Sequence, residues 1–145
     1  MQKALELAAK AALKDEVPVG AILVQNDQVI AQGYNHRESW NSVLAHAELI
    51  AIQRASNQLQ AWRLLNMTLY VTLEPCLMCS GAIQQARIPR VVFGAHDAKG
   101  GALVSLYQVG SDSRLNHRFA VTGGVLEDEC RQILKVFFKG KRLQK

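Results

Sequence analysis

The stretch TLYVTLEPCLMCSGAIQQARIPRVVFG, residues 68–94, contains the pattern that decides the fold. A strand-like segment, Thr68–Leu73, comes first, and a helical pattern follows from Cys76 to Ala86. A second strand-like segment then runs from Arg90 to Gly94. Because a connecting helix brings two strands side by side in the same direction, the stretch predicts a βαβ unit with parallel strands.

Helix-like and strand-like segments also alternate along the rest of the chain, with no internal repeat, low-complexity tract or linker between them. This alternation is typical of a layered α/β fold, so we expect a single domain over residues 1–145. The polar segment 25–28 predicts a hairpin loop. The other predicted elements are helices at Gln2–Lys14, Ala45–Ala55 and Asp128–Lys141, and strands at Val19–Val24, Val29–Tyr34 and Val121–Leu126.

Length and composition exclude several classes of protein. The chain has 145 residues, of which 49% are hydrophobic and 20% charged, with 3 prolines and 10 glycines. These proportions are those of a folded globular protein and exclude a disordered chain or a collagen-like repeat. No apolar run approaches the roughly 18 residues of a membrane helix, and Glu6 and Lys10 interrupt the apolar N-terminal stretch. We therefore expect a cytoplasmic protein with no membrane partner.

Basic residues concentrate at the C-terminal end of the chain. The net charge is +5, from 17 Lys and Arg against 12 Asp and Glu. Six of the basic residues fall in the last fifteen positions: Arg131, Lys135, Lys139, Lys141, Arg142 and Lys145. Such a cluster favours a polyanionic partner. The alternative is a helix whose ends match its own dipole, since acidic residues 127–129 open the same segment.

Two of the three cysteines, Cys76 and Cys79, stand in a C-x-x-C spacing at the start of the predicted helix. Positions i and i+3 share a helix face, and a helix N-terminus favours the thiolate that binds a metal. The spacing also occurs in structural zinc sites and in thioredoxin-like redox pairs, so alone it does not decide the chemistry. The third cysteine, Cys130, stands alone and is expected in the core.

Among the histidines, His46 is the one that stands inside an apolar helix start and has an acid, Glu48, within two residues. Three protein ligands, His46, Cys76 and Cys79, are typical of a catalytic zinc site with a fourth position for water. The pKa of that water falls to about 7, and Glu48 is then the expected proton carrier. Residues i and i+2 diverge in mid-helix, so we expect the zinc at the N-termini of two neighbouring helices.

The order His46-x-Glu48 followed by Pro75-Cys76-x-x-Cys79 matches the H-x-E…P-C-x-x-C pattern of zinc-dependent nucleobase deaminases. Four further segments, EVPVGA, AHAE, LYVTLEPC and RVVFGA at residues 16–21, 45–48, 69–76 and 90–95, together with Asp97 and Lys99, resemble the bacterial tRNA-specific adenosine deaminase family. The resemblance covers nearly the whole chain. It implies a three-layer α/β/α cytidine-deaminase-like fold with a central mixed sheet of about five strands.

The resemblance also implies an activity and its partners. The family works as a homodimer with one zinc per subunit and converts the wobble adenosine of a tRNA anticodon to inosine. We therefore expect the anticodon arm of tRNA, an arginine tRNA in particular, as the partner. In this reaction Glu48 moves a proton first to the ring nitrogen and then to the departing ammonia.

The same resemblance places four residues at the substrate: Asn35, Ala47, Pro18 and Val19. The alternative for Asn35 is a turn asparagine with an unusual backbone angle. Four residues of the basic C-terminal segment are candidates for RNA contact, namely Phe138, Lys139, Lys141 and Arg142. Of the adjacent Phe137 and Phe138, helical spacing predicts that one packs in the core.

Two other functions compete with this interpretation. A deaminase of free bases or nucleosides would share the zinc pocket, although small cytidine deaminases use cysteine where His46 stands. The basic C-terminal segment and the Asp97–Lys99 match argue against a guanine deaminase. A non-catalytic RNA-binding module stabilised by zinc is the third possibility, and it gives Glu48 no role.

Overall fold

The computed structural model describes residues 1–145 and contains four helices and five strands. The helices are α1 (Gln2–Leu13), α2 (Ala47–Leu59), α3 (Leu77–Gln85) and α4 (Glu127–Leu143). The strands are β1 (Gly20–Gln25), β2 (Gln28–Tyr34), β3 (Thr68–Leu73), β4 (Arg90–Ala95) and β5 (Ala120–Thr122). Every predicted element is present; the strand Thr68–Leu73 has its predicted bounds, and the others differ at one or both ends. The last strand is shorter than predicted because Gly123 and Gly124, the latter with φ 83°, turn the chain toward α4.

The strands form one mixed sheet in the order β2-β1-β3-β4-β5. β1 is antiparallel to both β2 and β3, whereas β3 and β4 are parallel, which confirms the predicted βαβ unit. Asn26 and Asp27 both adopt left-handed backbone angles, φ 50° and 61°. These angles fit the two-residue turn that matches the twist of antiparallel strands, so the predicted hairpin is also present.

Helices cover both faces of the sheet. A side chain at Gly20 would collide with the backbone of α1, and one at Gly33 with the backbone of α2. Gly33 pairs with Ala21, the neighbour of Gly20, and neighbouring strand residues point to opposite faces. Helices α1 and α2 therefore lie on opposite faces, with α4 beside α1 and α3 beside α2. This is the predicted three-layer α/β/α arrangement.

Small residues bring α2 close to the sheet. Ala47, Ala51 and Ala55, which are four residues apart, are fully buried against core side chains that include Val71 and Phe93. This packing fixes the N-terminus of α2 near the C-terminal ends of β2 and β3. Helix α3 begins at the same end of the sheet. No helix has the length and apolar character needed to cross a membrane.

Candidate active site

Three potential metal ligands meet where α2 and α3 begin. His46 is the residue that precedes α2, and Cys76 is the residue that precedes α3. The Nδ1 atom of His46 lies 3.7 Å from the Sγ of Cys76 and 3.5 Å from the Sγ of Cys79. The ligand atoms of all three residues lie within 4.8 Å of one another. The spacing in the sequence had predicted this position at two neighbouring helix N-termini.

The donor set fits zinc. Zinc prefers nitrogen and sulfur ligands in a tetrahedron, and its usual bond lengths separate a nitrogen and a sulfur ligand by about 3.6 Å. The two nitrogen–sulfur distances at this site are 3.5 and 3.7 Å. Three protein ligands leave one position of a tetrahedron for a non-protein ligand, which is typical of catalytic rather than structural zinc.

The two cysteines have opposite protonation tendencies. A hydrogen bond from the Cys79 thiol is the largest cause that lowers the pKa of Cys76, to about 4, so Cys76 is a thiolate at neutral pH. The hydrogen bond with Cys76, together with burial, raises the pKa of Cys79. The hydrogen bond with Cys76 also raises the pKa of His46. A thiolate beside a second sulfur and a histidine nitrogen is a donor set that binds a cation.

Glu48 lies in the first turn of α2 and is only 4% exposed. It borders the same cavity as His46, although residues two apart diverge in mid-helix. They converge here because His46 still has an extended backbone, with φ −79° and ψ 149°, and stands before the first helical residue. Burial raises the pKa of the Glu48 carboxyl, which makes the protonated form more accessible near neutral pH.

The cavity beside these residues has a volume of about 280 Å³. This is close to the lower limit for small-molecule pockets, and it suits one ring system rather than a large ligand. Its walls combine apolar side chains with acidic and basic groups. The lining residues are Val17, Val19, Asn35, Arg37, His46, Ala47, Glu48, Leu73, Glu74, Cys76, Asp97 and Phe138.

Three of the four residues expected at the substrate line this cavity, namely Asn35, Ala47 and Val19. Pro18 does not line it, although buried residues such as Ala47 do, and Val17 lines the cavity in its place. In extended chain, residues two apart share a side, so Val17 and Val19 face the cavity together. The resemblance placed the adjacent Pro18 and Val19 together at the substrate, but adjacent residues of an extended chain point to opposite sides.

Asn35 is held by two hydrogen bonds. Its Nδ2 donates to the carbonyl of Val17 at 3.2 Å, and its Oδ1 accepts from the backbone N–H of Arg37 at 3.0 Å. Asn35 has no left-handed backbone angle, but its Oδ1 bond to the N–H two residues on is an Asx turn, so its side chain also serves the turn after β2. The amide is therefore fixed in one orientation at the cavity wall.

The four candidates for RNA contact are in different situations. Phe138, 44% exposed, lines the cavity, and its neighbour Phe137 is half-buried. Lys139 and Arg142 are exposed and lie outside the cavity lining. Lys141 forms an ion pair with Asp15 and lies 5.6 Å from the centre of the Phe137 ring. Of these side chains, Phe138 is the one through which α4 contributes to the cavity wall.

A second buried glutamate, Glu74, is engaged in fixing a loop. Its carboxylate accepts hydrogen bonds from the backbone N–H groups of Asp97, Leu103, Val104 and Ser105, and from the Ser105 hydroxyl. Burial acts to raise the pKa of Glu74, but these hydrogen bonds outweigh it and lower the pKa below the ordinary value. Glu74 therefore orders the segment that carries Asp97 to the cavity.

Sequence reasoning missed Arg37, which lines the cavity. Arg37 stands at the start of the turn that follows β2 and Asn35. Its N–H donates to Oδ1 of Asn35, so the turn brings both residues to the cavity.

Comparison with known proteins agrees with this geometry. The model of the MafB19-like deaminase family matches residues 1–142. The tRNA-specific adenosine deaminase of Streptococcus pyogenes serotype M1 is 47% identical over 145 residues, which cover the whole chain and 85% of that protein. The tRNA-specific adenosine deaminase of Haemophilus influenzae is 49% identical over 146 residues, covering the whole chain and 84% of that protein.

A solved structure has the same architecture. It comes from a study of A-to-I editing by tRNA:A34 deaminases at the wobble position of transfer RNA, and it is 45% identical to this chain. The superposition has a TM-score of 0.89 and covers 92% of this chain and 97% of the other. With the fold, the full-length identity and the His-x-Glu and Pro-Cys-x-x-Cys segments in agreement, the chain belongs to the family of tRNA-specific adenosine deaminases.

Proposed function

We propose that this protein hydrolyses adenosine to inosine at the wobble position of a tRNA anticodon. The observation that carries the proposal is the pairing of a His-Cys-Cys cluster with a buried, non-ligand carboxyl, Glu48, at one small cavity. A cavity of about 280 Å³ accepts one base that has left its stack, and a relative 47% identical to this chain is named a tRNA-specific adenosine deaminase.

His46, Cys76 and Cys79 are the residues that would hold one zinc ion per subunit. Zinc bound there supplies Lewis-acid chemistry that activates water at neutral pH. The protein contributes the thiolate of Cys76, and the buried thiol of Cys79 would lose its proton as it coordinates a bound dication.

Glu48 performs the proton transfers. It carries one proton from the attacking water to the ring nitrogen of adenine, and a second from the new hydroxyl group to the departing amine. A carbon–oxygen bond forms and the carbon–nitrogen bond breaks, so one water is consumed and one ammonia is released for each inosine. The raised pKa of Glu48 suits a group that must both accept and release protons.

Asn35, Ala47, Val17 and Val19 bind the base. The fixed amide of Asn35 offers hydrogen-bonding groups, and the two valines and Ala47 supply the apolar wall that a planar ring needs. Phe138 stands at the same cavity and is exposed enough to stack on a base beside the target.

The expected partners follow from the same chemistry. We assign the anticodon arm of an arginine tRNA as substrate, which places the enzyme in the cytoplasm. The exposed apolar side chains of Trp40, Val43, Leu44 and Leu77 next to the starts of α2 and α3 support a homodimer.

Products distinguish this function from its rivals. The zinc-loaded protein is incubated with an arginine tRNA that carries a wobble adenosine, with the same tRNA carrying guanosine at that position, with free adenosine and with guanine. We expect inosine only in the first tRNA, read by mass spectrometry of the nucleosides. Turnover of free adenosine or guanine without turnover of the tRNA would assign the protein to the free-base or nucleoside deaminases. Binding of the tRNA without any turnover would identify an RNA-binding module.

Metal content tests the ligand assignment. Elemental analysis should find one zinc per subunit, and Cys79→Ser should lose most of it, because metal binding and folding are coupled. Cys130→Ser is the matched control, since Cys130 is equally buried but lies against Gly94, outside the site. Full zinc occupancy in Cys79→Ser would contradict the ligand set.

A further inference from the structure

Arg37 stands at the edge of the cavity among acidic groups. Its side chain is half-exposed, whereas Glu48 and Glu74 are buried, and Asp97 completes an acidic wall. Apart from His46, which belongs to the metal cluster, Arg37 is the basic residue of the lining. A nucleotide brings a phosphate to the mouth of the cavity, where these acids repel it unless a cation compensates.

The backbone on both sides of Arg37 is fixed. The N–H of Arg37 itself donates to Oδ1 of Asn35 at 3.0 Å. After it, the N–H groups of Glu38 and Ser39 donate to the carboxylate of Glu16 at 2.8 and 3.0 Å, and the Ser39 hydroxyl donates at 2.9 Å. Glu16 is fully buried and takes no part in the chemistry. It holds the loop that carries Arg37.

The guanidinium group itself is weakly engaged. Its ion pair is with Glu38, whose side chain is 73% exposed, at 3.6 Å. Exposed ion pairs of this kind contribute about 0–1 kcal/mol, so a phosphate can replace Glu38 at little cost. A rigid backbone with a free guanidinium fork is well suited to bind a phosphate through two parallel hydrogen bonds.

We propose that Arg37 binds a phosphate of the RNA backbone beside the target adenosine, and so makes the cavity selective for a nucleotide within a chain. This inference rests on the proposed function, because it takes RNA as the substrate. Glu16 acts through the loop and is a positioning residue for this contact.

Binding and turnover of an anticodon stem-loop RNA with a wobble adenosine test the proposal. The variants are Arg37→Ala and Arg37→Lys, and the matched control is Arg63→Ala. Arg63 is an exposed arginine that lies over the Trp62 ring and does not line the cavity. Dissociation constants are measured across a salt series in zinc-loaded protein that also carries Glu48→Gln, so that the RNA is not converted. Steady-state kinetics use proteins with Glu48 intact.

We expect Arg37→Ala to weaken binding about tenfold to a hundredfold, the range for a hydrogen-bonded contact to a charged group. The slope of log affinity against log salt should fall by about 0.7, the value for one phosphate of a single strand. Arg37→Lys should restore the slope and part of the affinity, because it keeps the charge and loses the planar fork. KM for the RNA should rise while kcat stays unchanged, and Arg63→Ala should leave all of these values as in the parent protein.

An unchanged salt slope in Arg37→Ala, or an equal loss in Arg63→Ala, would overturn the proposal. So would a fall in kcat at constant KM, which would put Arg37 in the chemistry. Absence of inosine formation by the wild-type protein would count against the proposed function instead, because the binding series reports on the phosphate contact without turnover.

Discussion

Glu48 and Glu74 are both buried, both border the cavity and both stand within two residues of a metal-ligand candidate, yet their surroundings differ. Five donors surround the Glu74 carboxylate and lower its pKa. Burial dominates at Glu48 and raises its pKa. The number of donors therefore separates a carboxylate that holds a loop from one that is free to exchange protons.

The same contrast explains why the loop after β4 is well ordered. Gly101 lies so close to the Glu74 carboxyl that a Cβ atom there would overlap it. The loop wraps around the carboxylate, and four of its N–H groups donate to this one charge. Removing charge at Glu74 and at Glu48 should therefore change different properties of the protein.

Glu48→Gln should have the largest effect, on activity alone. Glutamine keeps the shape of the side chain but cannot accept and release a proton near neutral pH. General acid–base groups contribute about a hundredfold to ten-thousandfold in rate, and Glu48 serves two transfers, so we expect a loss at or beyond the upper limit. Single-turnover inosine formation measures it, with zinc content and RNA binding as controls. A zinc-loaded variant within about tenfold of the wild-type rate would remove Glu48 from this role.

Glu74→Gln should show the opposite pattern. The amide nitrogen of glutamine would face backbone N–H donors, so at least one charged hydrogen bond is lost and donors are left unpaired. Such losses cost about 1.5–3 kcal/mol in the free energy of unfolding. Denaturant titration measures the loss, and the rate at saturating RNA should fall far less than in Glu48→Gln. A rate loss as large as that of Glu48→Gln, with unchanged stability, would make Glu74 the proton carrier.

The sequence predicted the elements because they depend on local spacing, and it predicted the metal cluster because a known pattern combines two local motifs that lie 30 residues apart. The spacing of apolar residues and the position of turn residues identify the strands. The C-x-x-C and H-x-E patterns place potential ligands and an acid at fixed separations. The difference between Glu48 and Glu74 could not be predicted, since the donors to Glu74 come from residues 97–105, far along the chain. The burial of Pro18 likewise depends on which side of an extended segment faces the cavity, and the position of Arg37 depends on a turn that the distant Glu16 holds.

Glu16→Gln should reduce stability by about 1–3 kcal/mol at neutral pH, because Glu16 accepts three hydrogen bonds as a buried carboxylate. Burial acts to raise its pKa, but the hydrogen bonds from Ser39 and Glu38, with the nearby His36, lower it below the ordinary 4.5. A lowered pKa in the folded state stabilises the protein above pH 4.5, and this stabilisation is lost as the pH falls through the folded-state pKa.

The difference in free energy of unfolding between wild type and Glu16→Gln should therefore be largest at neutral pH and should narrow in acid. Urea titrations from pH 7 down to below pH 4.5 measure it. A difference that stays constant across this range would show that the Glu16 charge does not stabilise the loop.

Ser105→Ala should have the smallest effect and should refine the contrast between the two carboxyls. It removes the hydroxyl donor to Glu74 but leaves the four backbone N–H donors in place. One hydrogen bond to a charged group contributes about 1.5–3 kcal/mol, and the remaining donors reduce the loss below this range because the carboxylate stays paired. Denaturant titration should find a loss of about 1 kcal/mol, with kcat and KM unchanged. A loss equal to that of Glu74→Gln would mean that the hydroxyl, rather than the ring of backbone donors, holds the loop.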